Sequence, residues 1–487
     1  MKHFVILGSG TAGWLTALFI RKIIPQSKIT VIGSKQVGIV GVGEATTPHI
    51  LGFLQYIDVN PYDFIKKTGG TIKQGISFEN WNGDGKKYFH GFLEKNDMDK
   101  FKIPNIFESG CMPHYLNLLN KKQLDYNEYV YGAKLSYANK VDPQNMNFAL
   151  HFDTHLLSNY LQDIATNRNI NFINGKFRNV ETNEKNDITK VVLEDEREVN
   201  LDFIFDCTGF ARLIIDKHYK VKWNSYLKHL PMKKGMPFYL KQDEEIIPYT
   251  QAIAMKNGWI WKIPLQHRYG AGYIFDSDYI TPDQAQQEVE EFLGHKIQVN
   301  KLISFEAGRY EKYWVNNCIA VGLSGGFIEP LESTSIFLTL QQLSIIRDYL
   351  PSLLGNDEKN KEYYNRVVCH NSDECRNFVY LHYLTKRNDS QFWKDFKSKN
   401  QPPENFKEIL SKLKDNNFSL LDLDQNYCNA NFADFSFKYV CNGLQLYEKE
   451  VDIAGHDNLL PTIDDYKKQI DEKVNNALSH KEFLQRL

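Results

Sequence analysis

Four consecutive apolar residues, Phe4-Val5-Ile6-Leu7, lead into Gly8-Ser9-Gly10, after which Ala12 to Ile23 repeats apolar positions at helical spacing. Ile29 to Ile32 is apolar without interruption, so the first thirty residues predict strand, turn, helix and strand. Pro25 sits where that helix must end. The stretch Phe4 to Ile20 has the apolar look of a signal-peptide core. Gly8, Gly10, Gly13 and Trp14 interrupt it and assign it to the βαβ unit instead. A second αβ region follows from Leu156 to Phe172, with Leu156, Leu157, Tyr160, Leu161 and Ile164 on one helical face. A charged hairpin around Glu181 to Asp187 then leads to a strand at Leu201 to Phe205. A third begins with the apolar run Ile319 to Val321 before Gly322, and Ser335 to Tyr349 is predicted helical with Pro351 closing it.

These segments lie more than a hundred residues apart, which predicts one sheet domain built from discontinuous pieces with other material inserted. The final third reads as mostly helical and rich in aromatic residues. No internal repeat and no low-complexity tract interrupts the pattern.

Composition narrows the partners. The 487 residues are 42% hydrophobic, 13% aromatic and 24% charged, which excludes disordered and fibrous classes. With 58 basic against 60 acidic residues there is no global field to attract nucleic acid or an anionic membrane, and small molecules become the expected partners. Seven scattered cysteines (Cys111, Cys207, Cys318, Cys369, Cys375, Cys428 and Cys441) form no CxxC pair, so neither a disulfide framework nor a zinc site is expected, and a cytoplasmic location fits. Cys369, His370 and Cys375 cluster in sequence, but a metal there would lack a fourth ligand. No segment approaches the roughly 20 apolar residues that span a bilayer.

Gly8-Ser9-Gly10-Thr11-Ala12-Gly13 is a GxGxxG sequence in the context that motif requires, after a strand and opening a helix. Gly8 and Gly10 let backbone turn and approach a pyrophosphate, Gly13 lets helix and sheet close, and Thr11 and Ala12 contribute N–H groups at the helix start. The acid that usually ends the second strand and bonds the ribose would fall at Gly33, leaving Ser34 as the candidate. Asp206-Cys207-Thr208-Gly209 is similar to the second glycine motif of two-domain FAD proteins and reads equally well as an aspartate-capped turn. With the N-terminal fingerprint it favours FAD over a nicotinamide nucleotide.

Beyond Gly33 four further motifs occur in order: Gly41-Val42-Gly43-Glu44-Ala45-Thr46-Thr47-Pro48, Thr71-Ile72-Lys73-Gln74-Gly75, Trp259-Ile260-Trp261-Lys262-Ile263-Pro264, and Phe327-Ile328-Glu329-Pro330-Leu331-Glu332-Ser333-Thr334. With His382-Tyr383, Arg387, Asp389 and Phe392-Trp393, the chain resembles the flavin-dependent halogenases, which include the tryptophan halogenases. The resemblance runs from the first residues to about Trp393. It implies an α/β fold with α+β insertions: a Rossmann-like FAD-binding domain from 1–80, 150–216 and 300–350, and a second, largely helical substrate domain from 81–149, 217–299 and 351–487. The implied chemistry is that reduced FAD and O2 form a flavin hydroperoxide, a halide (chloride, bromide or iodide) attacks it, and the resulting hypohalous acid travels to a lysine that delivers it to an electron-rich aromatic carbon.

On that resemblance Lys73 receives the hypohalous acid, and Glu332 orients the lysine or takes the proton from the cationic ring intermediate. Read without it, Lys73 is a lysine near Lys66 and Lys67, and Glu332 a carboxylate at a helix start. Ser333, Thr334 and Ser335 are implied to bind halide at that helix N-terminus. Tryptophan-type members have glycine where this chain has Ser335, so a preference for bromide or iodide over chloride is expected. Trp259 and Trp261 are implied to wall the flavin from the substrate, and two residues apart on a strand they also share one core face. Gly43, Glu44, Ala45 and Leu323 are implied to contact the cofactor.

Two alternatives remain at this level: a flavin-dependent aromatic hydroxylase, and a flavin-binding protein without turnover. Hydroxylases usually carry Gly-Asp where this chain has Gly322-Leu323, and they lack Lys73 and the WxWxIP signature. With no second fingerprint for NADPH, FADH2 is expected from a separate NAD(P)H-dependent flavin reductase. The segment Asn426 to Leu446 carries Tyr427, Phe432, Phe435, Phe437 and Tyr439, which suit either core packing or a flat, indole-like substrate. The sequence leaves room for a homo-oligomer.

Overall fold

The computed structural model describes residues 2–34, 41, 43–92, 119, 122–299, 301–348, 357–418, 422–423, 431–449 and 460–487, with no side-chain description for 460–462. Val42, Cys111, Tyr349, Pro351, Tyr427 and Cys428 lie outside the described residues. The chain forms two compact units, one from 1–69, 152–227 and 305–373, the other from 70–151, 228–304 and 374–487.

The first unit is built on a six-stranded sheet in the order Trp314–Val315, Cys318–Ala320, Phe203–Asp206, His3–Leu7, Lys28–Gly33, Asn171–Asn174. Its strands are parallel except for the antiparallel edge pair Trp314–Val315 and Cys318–Ala320. Val5, Ile6, Val31, Ile204 and Phe205 are buried without alternation, as strands covered on both faces require. The helix Thr11–Ile23 buries Trp14, Leu15, Ala17, Leu18, Phe19 and Ile20, and ends with Arg21 and Lys22 at the negative end of its dipole. The helix Thr154–Asn167 starts at Asp153, whose carboxylate accepts from the N–H groups of His155 and Leu156. The charged hairpin pairs Phe177–Thr182 with Ile188–Leu193. The α/β class matches the pattern read from the sequence.

The second unit carries a seven-stranded sheet in the order Ile303–Ser304, Lys234–Leu240, Tyr269–Phe275, Gly258–Pro264, Thr250–Ala254, Gly75–Glu79, Lys87–Gly91. Every described pair in it is antiparallel except Thr250–Ala254 with Gly75–Glu79. The expected helices come from 374–487, including Asp434–Leu444 and Leu460–Asn476, so this unit joins that helical segment to a sheet. Among the described residues no helix is long and apolar enough to cross a membrane.

Candidate active site

The glycine turn of the first unit has the geometry a dinucleotide needs. Gly8 has φ of 118°, and a Cβ there would collide with the carbonyl of Cys207; one on Gly13 would collide with the carbonyl of Gly8. Gly10 differs, because nothing lies within 4 Å of the Cβ position. It caps Thr11–Ile23 without a side-chain hydrogen bond, and no acid stands in the first turn. Uncapped N–H groups beside open space fit a pyrophosphate. The turn Gly322–Ser324, which carries half-buried Leu323, adjoins this start: a Cβ on Gly322 would crowd Cβ of Ala12.

The second strand ends at Gly33 because Ser9 occupies the adjoining space, and any Cβ at 33 would collide with the Ser9 hydroxyl. Ser34 follows, half-buried. Asp206 is fully buried and acts as a turn cap. One carboxylate oxygen accepts from the N–H and hydroxyl of Thr208 (3.1 and 2.6 Å), the other from the N–H groups of Ile214 and Ile215 (2.9 and 3.0 Å). Of the two readings of Asp206-Cys207-Thr208-Gly209, the capped turn describes this carboxylate.

Gly43 is buried, and Glu44 and Ala45 are half-buried. Glu44 hydrogen-bonds the Thr11 hydroxyl, while its Oε2 is buried without a hydrogen-bond partner. Burial pushes the carboxyl pKa up to about 7, against the opposing pull of Thr11. A carboxyl at the cradle that is protonated in part near neutral pH repels a phosphate less than an ordinary carboxylate does.

Further along the same unit, the turn Pro330–Glu332 buries Glu332, and Glu329 before it is fully buried. Ser333 takes a left-handed conformation (φ 59°, ψ 32°), and the helix Thr334–Asp348 starts immediately after it. Thr334 is fully buried and its hydroxyl has no hydrogen-bond partner. A free hydroxyl at a helix start is chemistry suited to a small anion. Ser335 lines a small cleft, partly open to solvent, with Gly322, Phe327, Leu338 and Gln342.

In the second unit Lys73 is 1% exposed on the strand Thr71–Lys73, opposite Ala149 in the antiparallel ladder. Its ammonium lies 5.7 Å from the Phe92 ring centroid. This is not the surface lysine that its neighbourhood with Lys66 and Lys67 would suggest. Trp259 and Trp261 share a face of Gly258–Pro264. The Trp261 indole covers Gly272 on the neighbouring strand, and the Trp259 indole N–H donates to the Tyr383 hydroxyl at 3.0 Å. Arg387 bonds both oxygens of Asp389 and the carbonyls of Asn80 and Ala254, and the Trp393 indole donates to the carbonyl of Met255. The residues of the motif at 382–393 thus buttress the tryptophan strand and its neighbour.

Phe432 stacks on Phe378 at 3.9 Å, Phe437 meets Phe378, Phe406 and Phe418, and Tyr439 meets His90, Tyr126 and Phe435. These rings pack on one another. Sequence reading missed His151 and His480, both fully buried beside the Lys73 strand. His151 leaves one trace, a polar residue inside the apolar run 149–152; His480 leaves none, being distant in sequence from its partner.

The family profile for tryptophan halogenases matches residues 3–456. The chain belongs to the tryptophan halogenase family. It is a flavin-dependent halogenase by class, an oxidoreductase whose family uses FAD and halide. Among curated proteins, this halogenase is 32% identical over 428 residues to the 7-chloro-L-tryptophan 6-halogenase KtzR of Kutzneria sp. (strain 744), covering 82% of each chain. It is 31% identical over 426 residues to the tryptophan 6-halogenase SttH of Streptomyces toxytricini, covering 82% of this chain and 81% of the relative. Among solved structures, the flavin-dependent halogenase Xcc4156 of Xanthomonas campestris superposes with a TM-score of 0.90 at 28% identity, covering 100% of this chain and 98% of that one. The halogenase BrvH of Brevundimonas sp. BAL3 gives a TM-score of 0.87 at 28% identity, covering 100% and 99%.

Proposed function

We propose that this halogenase oxidises a halide to hypohalous acid, which Lys73 directs to an electron-rich, indole-like ring. The observation that carries the reading is the lysine itself, an amine 1% exposed on a hydrogen-bonded strand in a chain of this family. FAD, when bound and reduced, supplies the activation of O2 that oxidises the halide. The glycine cradle holds the pyrophosphate, and Ser333, Thr334 and Ser335 hold the halide. Trp259 and Trp261 keep the substrate away from the flavin.

The reaction balances as hypohalous acid plus arene giving haloarene plus water. The carbon–halogen bond forms as the oxygen–halogen bond breaks, and the departing hydroxide takes a proton from the Lys73 ammonium. Glu332 accepts the ring proton, and both groups regain their resting protonation by exchange with water. FADH2 comes from a separate NAD(P)H-dependent flavin reductase. The discontinuous segments 1–80, 150–216 and 300–350 bind FAD, and the remainder binds substrate.

The test supplies FAD, a flavin reductase, NADH and each halide in turn to a panel of indoles, phenols and pyrroles, with products identified by mass spectrometry. Halogenated product that disappears in Lys73→Met supports the reading. Hydroxylated product, or FADH2 consumption with no halogenated arene from any member, overturns it.

A further inference from the structure

Lys73 stands on a strand of three residues at the edge of its sheet, too short to hold its own register. Its ladder with 149–152 satisfies one side only. On the other side, where a further strand would accept, the N–H of Ile72 donates instead to Nε2 of His480 at 3.1 Å. His480 Nδ1 must then carry the ring proton, which it donates to the carbonyl of Ile246 at 3.0 Å. His480 is fully buried, and its own backbone is fixed twice: Ser479 pairs with Lys140, and the His480 N–H donates to the carbonyl of Asn139 at 2.9 Å.

A second imidazole serves the other face of the strand. Thr71 and Lys73 point the same way, and His151 stands opposite Thr71 in the ladder. The Thr71 hydroxyl donates to the carbonyl of Pro264 at 2.8 Å, so it can only accept from His151 Nδ1, also at 2.8 Å. Burial keeps the His151 ring neutral, so its Nε2 accepts from the Thr250 hydroxyl at 2.9 Å.

Both rings are thus neutral Nδ1–H tautomers. Burial holds His480 near 4 and His151 well below the ordinary histidine range, the latter helped by the positive charge of Lys73. The next residue is tied as well: Gln74 donates from its backbone to the carbonyl of Pro248 and from its side chain to Ser136 and to the carbonyl of Lys140, the residue that pairs with Ser479. Residues 71, 72 and 74 are pinned around a lysine whose cross-strand neighbour, Ala149, is too small to confine it. The backbone on either side of Lys73 is fixed by these bonds.

We propose that His480, with His151 as its counterpart on the opposite face, is a positioning residue for halogen transfer. It holds the Ile72 amide so that the Lys73 amine meets hypohalous acid and substrate in a fixed geometry. This rests on the role of Lys73 proposed above. An amine misplaced by about 1 Å loses on the order of a hundredfold in transfer without changing the oxidation of halide. The oxidant then escapes.

The experiment compares wild type, His480→Ala, His480→Gln, Thr250→Val and Lys73→Met. Two quantities are read. One is amide hydrogen exchange at Ile72 in the protein without FAD. The other is the partition of oxidised halide between substrate and a soluble hypohalous acid trap during turnover. His480→Ala is expected to lose Ile72 protection and to shift product about tenfold toward the trap at unchanged total halide oxidation. His480→Gln keeps an acceptor for Ile72 and is expected to restore most of both, whereas a residue that only fills the core would not be rescued by glutamine. Thr250→Val leaves His480 untouched and frees His151, so it carries the test if His480→Ala does not fold; a shift toward the trap is expected. Unchanged partition in His480→Ala, or in Thr250→Val where that variant alone is obtained, overturns the proposal if Lys73→Met still diverts the halogen. If Lys73→Met itself leaves the partition unchanged, the role of Lys73 fails, and this proposal with it.

Discussion

The hydroxyl of Ser9 occupies the space that a side chain at Gly33 would need. One residue of the glycine turn has displaced the acid that usually ends the second strand of a dinucleotide-binding unit. Gly33→Asp is therefore expected to weaken the protein by about 1–3 kcal/mol through overpacking, and not to tighten FAD. Pairing it with Ser9→Gly opens the space and should recover most of that loss. Thermal unfolding and FAD titration of the two variants check this.

Glu44 makes stability depend on pH in a direction unusual for a carboxylate. Its folded pKa, about 7, stands above the ordinary value of 4.5, so its stabilising contribution is complete below pH 4.5 and is lost as pH rises through 7. The difference is on the order of 3 kcal/mol. His480, near 4 when folded against 6.5 ordinarily, acts oppositely: its contribution is complete above pH 6.5 and is lost as pH falls through 4. Glu44→Gln should remove the first slope and leave the second, so the variant loses midpoint temperature on acidification from pH 6.5 to 4.5 more steeply than wild type. Unfolding scans across that range decide it.

Lys73→Met keeps an unbranched chain on the strand and removes the amine. Halogenated product should fall by about a hundredfold or more, with the rate of FADH2 oxidation within about twofold of wild type. Product analysis beside stopped-flow flavin absorbance separates the two effects.

Ser335 lines the cleft with Leu338 and Gln342, one and two helical turns further along Thr334–Asp348. Ser335→Gly removes its Cβ and hydroxyl and is expected to move the ratio of chloride to bromide turnover toward chloride. Equal turnover numbers for the wild type in chloride-only and bromide-only assays would contradict the halide preference expected of Ser335.

Arg387 is 4% exposed and spans Asp389 and the carbonyls of Asn80 and Ala254. Arg387→Ala leaves the buried Ala254 carbonyl without this donor, and a loss of about 1–3 kcal/mol is expected. Because Ala254 pairs with Trp259, quenching of tryptophan fluorescence by acrylamide should rise at the same time.

Local pattern determined a good deal of this protein. The βαβ start, the α/β class and the glycine turn were legible because period, turn chemistry and helix initiation involve residues within a few positions of one another. Motifs in fixed order carried the family, since each is a short segment whose residues act together. What tertiary structure decided was distant in sequence: that Ser9 excludes an acid at Gly33, that Lys73 is buried, and that Phe432 and Phe437 pack on Phe378 while Tyr439 meets His90 and Tyr126. The pairing of Ile72 with His480 is the extreme case, 408 positions apart. A hydrogen bond between remote segments has no sequence period, and which imidazole reaches which amide depends on how the strands and helices between them close around a common core.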